Sequence, residues 1–491
     1  MPDHPAPPPP TPVQAAPQRK QASGRVTALI VASAMFMDGV DSTVLAVALP
    51  TMAQSFGADP LHMNVALTSY LLSLAVFIPI SGKVADRFGS RTVFRAAIGL
   101  FTAGSLLCSQ ADSLLFLVLA RIVQGMGGAM MVPVGRLVLL RSVSKAELVR
   151  AMAWLMIPAS AGPILGPPIG GFITTYLAWP WIFYINVPVG LLGMALATKY
   201  IEEIRAPEQA RFDLLGFALS GTSLSSLMFG LEFGSRGVGS GPLTLLLLTT
   251  GVVTGVLYWR RARHQAQPIL DIRLMRIPTF SISVIAGTLS RIAVGATPFL
   301  LPMMLQLGFG MSAARSGSIT LASSVGSLAM RSVAPALLRR IGFRNTLVWV
   351  GALSTCVLAT SAAFRPWWPV PVIFAILMFG GFVQSLQFMA YNTIAYADVP
   401  RPQMSAATSF YTTFQQLSLS LGIGVSAATL AASIAIFGHD RPLPSDFSVA
   451  FLVVAGIALL APLVSTRLAS DAGAELTGGA KTPSPSGRGP G

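Results

Sequence analysis

The stretch "MFMDGVDSTVLAVALP", Met35 to Pro50, places two carboxylates, Asp38 and Asp41, inside an apolar run long enough to cross a bilayer. A charged side chain at that depth costs about 3 kcal/mol on insertion scales, so such residues mark ion or substrate paths. Three residues apart, they stand about 60° from each other around a helix axis and share a face. Burial and a like-charged neighbour both change proton affinity, so the pair is expected to load and release protons as a unit. Arg121 sits in the middle of another apolar run. Its guanidinium stays charged at any working pH and is expected to tune the proton affinity of an acid in the same half. The chemistry this suggests is proton coupling: neutralising the acid removes its membrane cost and permits one conformational swing.

Helices must position these groups. The chain of 491 residues is 53% hydrophobic and only 10% charged, against about 25% charged in soluble domains. About 20 helical residues cross a hydrocarbon core, and lipid-exposed backbone must satisfy its own polar groups. Fourteen predicted spans fit, near 26–53, 64–82, 92–110, 114–139, 148–174, 181–200, 212–231, 242–259, 279–305, 314–337, 345–363, 370–395, 405–436 and 447–467. The fold class is therefore an all-α polytopic membrane protein. Residues 1–25, rich in proline, and 471–491 read as disordered tails. An even span count puts both ends on one side. That side collects 25 Lys and Arg residues and the other four, so the positive-inside rule makes both termini cytoplasmic. The net charge of +15 is thereby assigned to topology, and no nucleic-acid partner is expected. Cys108 and Cys356 fall inside spans and read as packing residues, not as a disulfide framework.

The chain also repeats itself. "GKVADRFGSR", Gly82 to Arg91, lies between spans 2 and 3, and "PALLRRIGFR", Pro335 to Arg344, between spans 10 and 11. Arg87 aligns with Arg340, Gly89 with Gly342 and Arg91 with Arg344. With spans 7 and 8 set aside as an insertion, each copy follows the second helix of a six-helix half, a pattern of secondary transporters.

Four motifs, in order, carry a resemblance. They are "VDSTVLAVALP" (Val40 to Pro50), "GKVADRFGSR", "RIVQGMG" (Arg121 to Gly127) and "GPILGPPIGG" (Gly162 to Gly171), followed by "WIFYINVPVG". Over about residues 25–470 the chain resembles the fourteen-helix drug:proton antiporter family (EmrB/QacA-like) of the major facilitator superfamily. Ala46 and Pro180 stand where that family often has Asn and Arg. The resemblance implies two six-helix halves, 26–200 and 266–470, with two inserted helices within 201–265. It implies a proton-coupled antiporter that exports lipophilic small molecules, as in multidrug efflux and antibiotic resistance, by alternating access. Export of an endogenous metabolite, siderophore or lipid is the alternative. It gives Asp41 to proton coupling, with Arg121 of the fourth-span motif beside it; Asp38 is extra to the core motif and joins them from its place on the same face of the span. Gly82, Asp86, Arg87, Gly89 and Arg91 form a conformational latch in which Asp86 meets a helix N-terminus or a neighbouring Arg. Gly162, Gly166, Pro167, Gly170 and Gly171 form the antiporter helix motif. Glycines 162, 166 and 170 recur every four residues, the spacing of close membrane-helix contact.

A substrate cavity is expected from Gln124, Arg291, Gln387, Tyr391 and Gln415, a set of amides and aromatics around one cation. Arg291, read as opening the ninth span, either snorkels to the interface or faces the cavity and favours an anionic group. No G-x-x-x-x-G-K-[ST] is present, since Gly82-Lys83 precedes valine. The energy source expected is the proton gradient, with no cofactor, no metal and no enzymatic activity. No H-E-x-x-H or G-x-S-x-G occurs either. The expected setting is the bacterial inner membrane, as a monomer. A periplasmic adaptor and outer-membrane channel would be invisible in this sequence.

Overall fold

The computed structural model describes residues 24–142, 148–203, 213–236, 241–265, 268–400 and 403–473. Most of both predicted tails, 1–23 and 474–491, lies outside the described residues. Fourteen long helices are found among the described residues. The first seven are α1 (Gly24–Phe56), α2 (Asn64–Phe88), α3 (Ser90–Ser109), α4 (Leu114–Ser142), α5 (Leu148–Tyr176), α6 (Trp181–Tyr200) and α7 (Leu214–Arg236). The rest are α8 (Gly241–His264), α9 (Pro278–Gly308), α10 (Ala313–Ile341), α11 (Phe343–Ala363), α12 (Val370–Ile394), α13 (Met404–Phe437) and α14 (Pro444–Ser465). Each predicted span has its helix, and no strand occurs among the described residues. Leucines 115, 245 and 246 are 61–70% exposed. Such apolar outer faces belong against acyl chains.

The packing is paired. α1 lies along α5 as α9 lies along α13; α2 meets α4 as α10 meets α12; α3 meets α6 as α11 meets α14. Across the seam α2 touches α13 and α10 touches α5, the same relation with the partners exchanged. The inserted α7 and α8 pack on each other, and α7 also leans on α2 and α13. Asp213 fixes the start of α7. Its carboxylate accepts from Gly216 N at 2.9 Å and from Arg261 Nη2 of α8 at 2.7 Å.

The repeat is structural as well as textual. Gly89 and Gly342 both end a helix with positive φ, +96° and +80°, a region open to glycine and closed to most residues. Their N–H groups donate to Ala85 O and Leu338 O. Arg91 Nη1 then donates to Ile201 O at the end of α6, and Arg344 Nη2 to Thr466 O at the end of α14. Each half thus ties its second turn to its own last helix. Gly82 is exposed, and a Cβ there would meet nothing within 4 Å, so no close helix approach requires it.

Proline shapes the long helices, because it removes one backbone donor and clashes with the preceding turn. α9 carries Pro298 and Pro302 and ends in a π-helical segment, Met304–Gly308. There Gln306 Nε2 crosses to Val47 O of α1 at 3.0 Å. With Ala314 N donating to Thr175 Oγ1 at 2.9 Å, this joins the two halves at the end of the bundle away from the described termini.

Candidate functional site

Asp41 is the centre of a closed polar cluster inside helices 1–6. It is fully buried, as are Arg121 and Gln124. Arg121 Nη1 lies 2.5 Å from Asp41 Oδ2. Gln124 Nε2 donates to Asp41 Oδ1 at 2.7 Å and to Ser105 Oγ at 2.7 Å. Asn186 Nδ2 donates to the same two oxygens at 3.2 Å. Arg121 Nη1 also donates to Gln124 Oε1, and Arg121 Nε to Ala66 O. Five helices, α1, α2, α3, α4 and α6, therefore meet at one carboxylate. A buried ion pair survives only when further hydrogen bonds satisfy its remaining valences. Here Arg121 Nη2 has no partner among the described residues, so the cluster is one bond short.

Asp38 is held separately. Its Oδ1 accepts from the Tyr70 hydroxyl, and the Tyr70 ring lies under the Arg121 guanidinium, 4.2 Å from its carbon. The sequence suggests a pair acting together on one face. Instead Asp41 points into the five-helix cluster and Asp38 to Tyr70, with the tyrosine bridging their surroundings. Asp38 is half-buried where Asp41 is sealed.

The opposite face of α1 rests on the glycines of α5. A Cβ at Gly162 would stand 2.6 Å from Phe36 O, and one at Gly170 would stand 2.7 Å from Val44 O. Gly166 faces Thr43. Gly171 turns the other way, against Ala313 and Ala314 of α10, and Pro167 O faces Gly317 of the same helix. The motif is thus a two-sided spacer. It carries the acid-bearing helix on one side and the opposite half on the other, and Ser324 Oγ donates to Pro163 O across that contact.

At the turn that carries the expected latch, the α3 N-terminus already holds an anion. The anion at the α3 N-terminus is Glu203, from the end of α6, which accepts from Arg91 N at 3.1 Å and from Thr92 Oγ1. Arg91 Nε is 3.7 Å from its other oxygen. These bonds join helices of the same half, so they stiffen it. Asp86 is half-buried, and Arg87 is exposed beside the Phe88 ring. Removing a helix N-terminal cap costs about 0.5–2 kcal/mol. Glu203→Ala should lower stability by about that amount in thermal unfolding of the purified protein, and unchanged stability would contradict the capping role.

Among the expected substrate residues, Tyr391, Gln387 and Arg291 are neighbours in the second half. Gln124 belongs to the Asp41 cluster. Tyr391 is buried, its hydroxyl sharing a hydrogen bond with Ser465 Oγ at 2.8 Å. Gln387 lines a small polar cavity between α9, α11, α12 and α14, with Ser290, Thr355 and Gln384. Gln415 is half-buried on α13. Arg291 does not open its helix. It lies near the middle of α9 and is 2% exposed, too deep for snorkelling. Sequence reasoning misses Tyr70, Ser105, Asn186 and Glu203. Asn186, inside the quoted "WIFYINVPVG", carries the one usable signal, an amide in an apolar helix.

A family model described as Major Facilitator Superfamily matches residues 31–423. A protein of Pectobacterium atrosepticum named "Putative multidrug resistance protein MdtD" is 39% identical over 413 residues, covering 83% of this chain and 88% of the relative. One of the same name from Salmonella heidelberg is 38% identical over 415 residues, covering 84% and 87%. Among solved structures, a D-xylose-proton symporter matches with a TM-score of 0.64 at 14% identity, over 90% of this chain and 97% of that one. The nucleoside transporter NupG matches with 0.61 at 15% identity, over 90% and 98%. At these identities the structures speak for the fold alone.

Proposed function

The chain belongs to the Major Facilitator Superfamily, and from that premise we propose that this multi-pass transporter is a proton-coupled antiporter exporting lipophilic small molecules, a multidrug efflux protein. The names of its relatives support the substrate breadth. The observation that carries the coupling is Asp41, a fully buried carboxylate held by Arg121, Gln124 and Asn186 on the helix that packs against the α5 glycines.

A proton on Asp41 removes its charge and leaves Arg121 with only neutral acceptors. That loosens the tie between α1 and α4 and lets the half tilt. Losing the proton on the other face restores the pair. Asp38, more accessible and bonded to Tyr70, passes protons toward the cluster. A proton moving down 100 mV releases about 2.3 kcal/mol, comparable with the few kcal/mol separating two conformations. The rocking units are residues 26–200 and 266–470, with the 201–265 helices as an insertion. Within the loop motif the latch role falls to Asp86 and Arg87, since Arg91 is committed inside its own half. The protein sits as a monomer in the bacterial inner membrane, both termini cytoplasmic, powered by the proton gradient without a cofactor.

Transport by the purified protein in liposomes tests this. With protein inserted inside out and the lumen acidic, lipophilic dyes should accumulate, and a protonophore should abolish accumulation. Accumulation that ignores the gradient would overturn the reading.

A further inference from the structure

We propose that Arg291 is an anion subsite that receives the carboxylate of lipophilic organic acids. It deepens the export reading by naming a substrate class, and it rests on that reading for the route by which cargo arrives. Arg291 is buried in the middle of α9, at 2% exposure. Its acceptors are both neutral: the Tyr411 hydroxyl and Asn392 Oδ1, the latter 3.4 Å from Nη2. Its Nε has no partner among the described residues. Among those residues no carboxylate pairs with it, whereas Arg121, the other fully buried arginine, has Asp41 at 2.5 Å. A permanent charge at this depth is normally paired, so the missing partner points to a ligand.

The surroundings suit an aromatic acid. The Tyr411 and Phe388 rings lie 4.6 and 5.4 Å from the guanidinium carbon, positions that hold a cation and can stack a planar guest. Gly287 makes room beneath, since a Cβ there would stand 2.6 Å from Arg291 Nη1. Tyr411 belongs to an apolar cluster that also holds Ile80 of the other half, and Phe77 and Met130 of that half pack against the cluster. Tyr411 sits on α13, which meets α2 of the other half, so the guanidinium is bonded to a helix of the seam through which cargo would move.

Two xanthene dyes of similar size separate the cases: fluorescein, which carries a carboxylate, and rhodamine 6G, an esterified cation. Binding to the purified full chain is read by fluorescence anisotropy without any gradient. Fluorescein should bind the wild type, and Arg291→Gln should weaken it about tenfold or more, the scale of a charged hydrogen bond, with rhodamine 6G unchanged. Asn392→Asp should weaken fluorescein as strongly, because it supplies an internal counter-ion while keeping Arg291, and it decides the matter if Arg291→Gln fails to fold. Fluorescein that does not bind the wild type, or that binds both variants as tightly as it binds the wild type, would overturn the subsite. Gradient dependence is read separately in liposomes, so failure of proton coupling leaves this binding result standing on its own.

Discussion

Asp41→Asn will abolish gradient-driven accumulation while leaving passive exchange of the same dye. The substitution preserves shape and imitates the protonated acid permanently. Oδ1 accepts from Gln124 and Asn186 and Oδ2 from Arg121, so an amide must turn its NH2 toward a donor in either orientation. Breaking a buried pair from one side costs about 3–5 kcal/mol. That is an upper bound here, because a working cycle must itself visit the neutral form. The functional loss is larger. One proton moving through 100 mV and one pH unit releases about 3.7 kcal/mol, which supports roughly a five-hundredfold gradient of a neutral cargo. The variant should collapse that ratio toward one. Asp41→Asn combined with Arg121→Gln should regain stability without regaining accumulation, since the orphaned cation is gone but the titrating acid is still missing. Liposome accumulation beside thermal unfolding separates the two effects.

Gly162→Val should remove the folded protein almost entirely. The atoms a side chain would meet there are the backbone of Phe36 and Val40, at 2.6 and 3.1 Å, which cannot swing aside as a flexible side-chain tip could. Overpacking typically costs about 1–3 kcal/mol, and here relief requires parting α1 from α5 and with it the acid cluster on the far face of α1. Detergent-extracted protein should aggregate or vanish on size-exclusion chromatography. Gly82→Ala is the control, because its Cβ would enter open space and surface changes usually stay within about 0.5 kcal/mol. Equal damage from both would show that motif membership, not contact, sets the effect.

The helices are legible because length and hydropathy decide them in lipid. The glycine face of α5 is legible because a spacing of four residues is a geometric statement in any helix. The repeat is readable too, and Gly89 and Gly342 give it a backbone reason. What escapes the sequence requires tertiary placement. Asn186 and Ser105 become acid partners only when α3 and α6 meet at α1. Glu203 reaches the α3 N-terminus from more than a hundred positions later in the chain. Gln124 reads as a cargo residue because an amide in a span suits a cavity and an acid cluster equally well. Reading Arg291 as a helix end disregards the predicted span 279–305, which already centres it; what the sequence could not give is its set of neutral partners, Tyr411 and Asn392.

Proton release on cargo binding tests the central claim most directly. Purified protein in weakly buffered detergent, with a pH-indicating dye, is mixed with a transported compound. The account predicts proton release from the wild type that disappears in Asp41→Asn. Equal release from both, or none from the wild type, would contradict it.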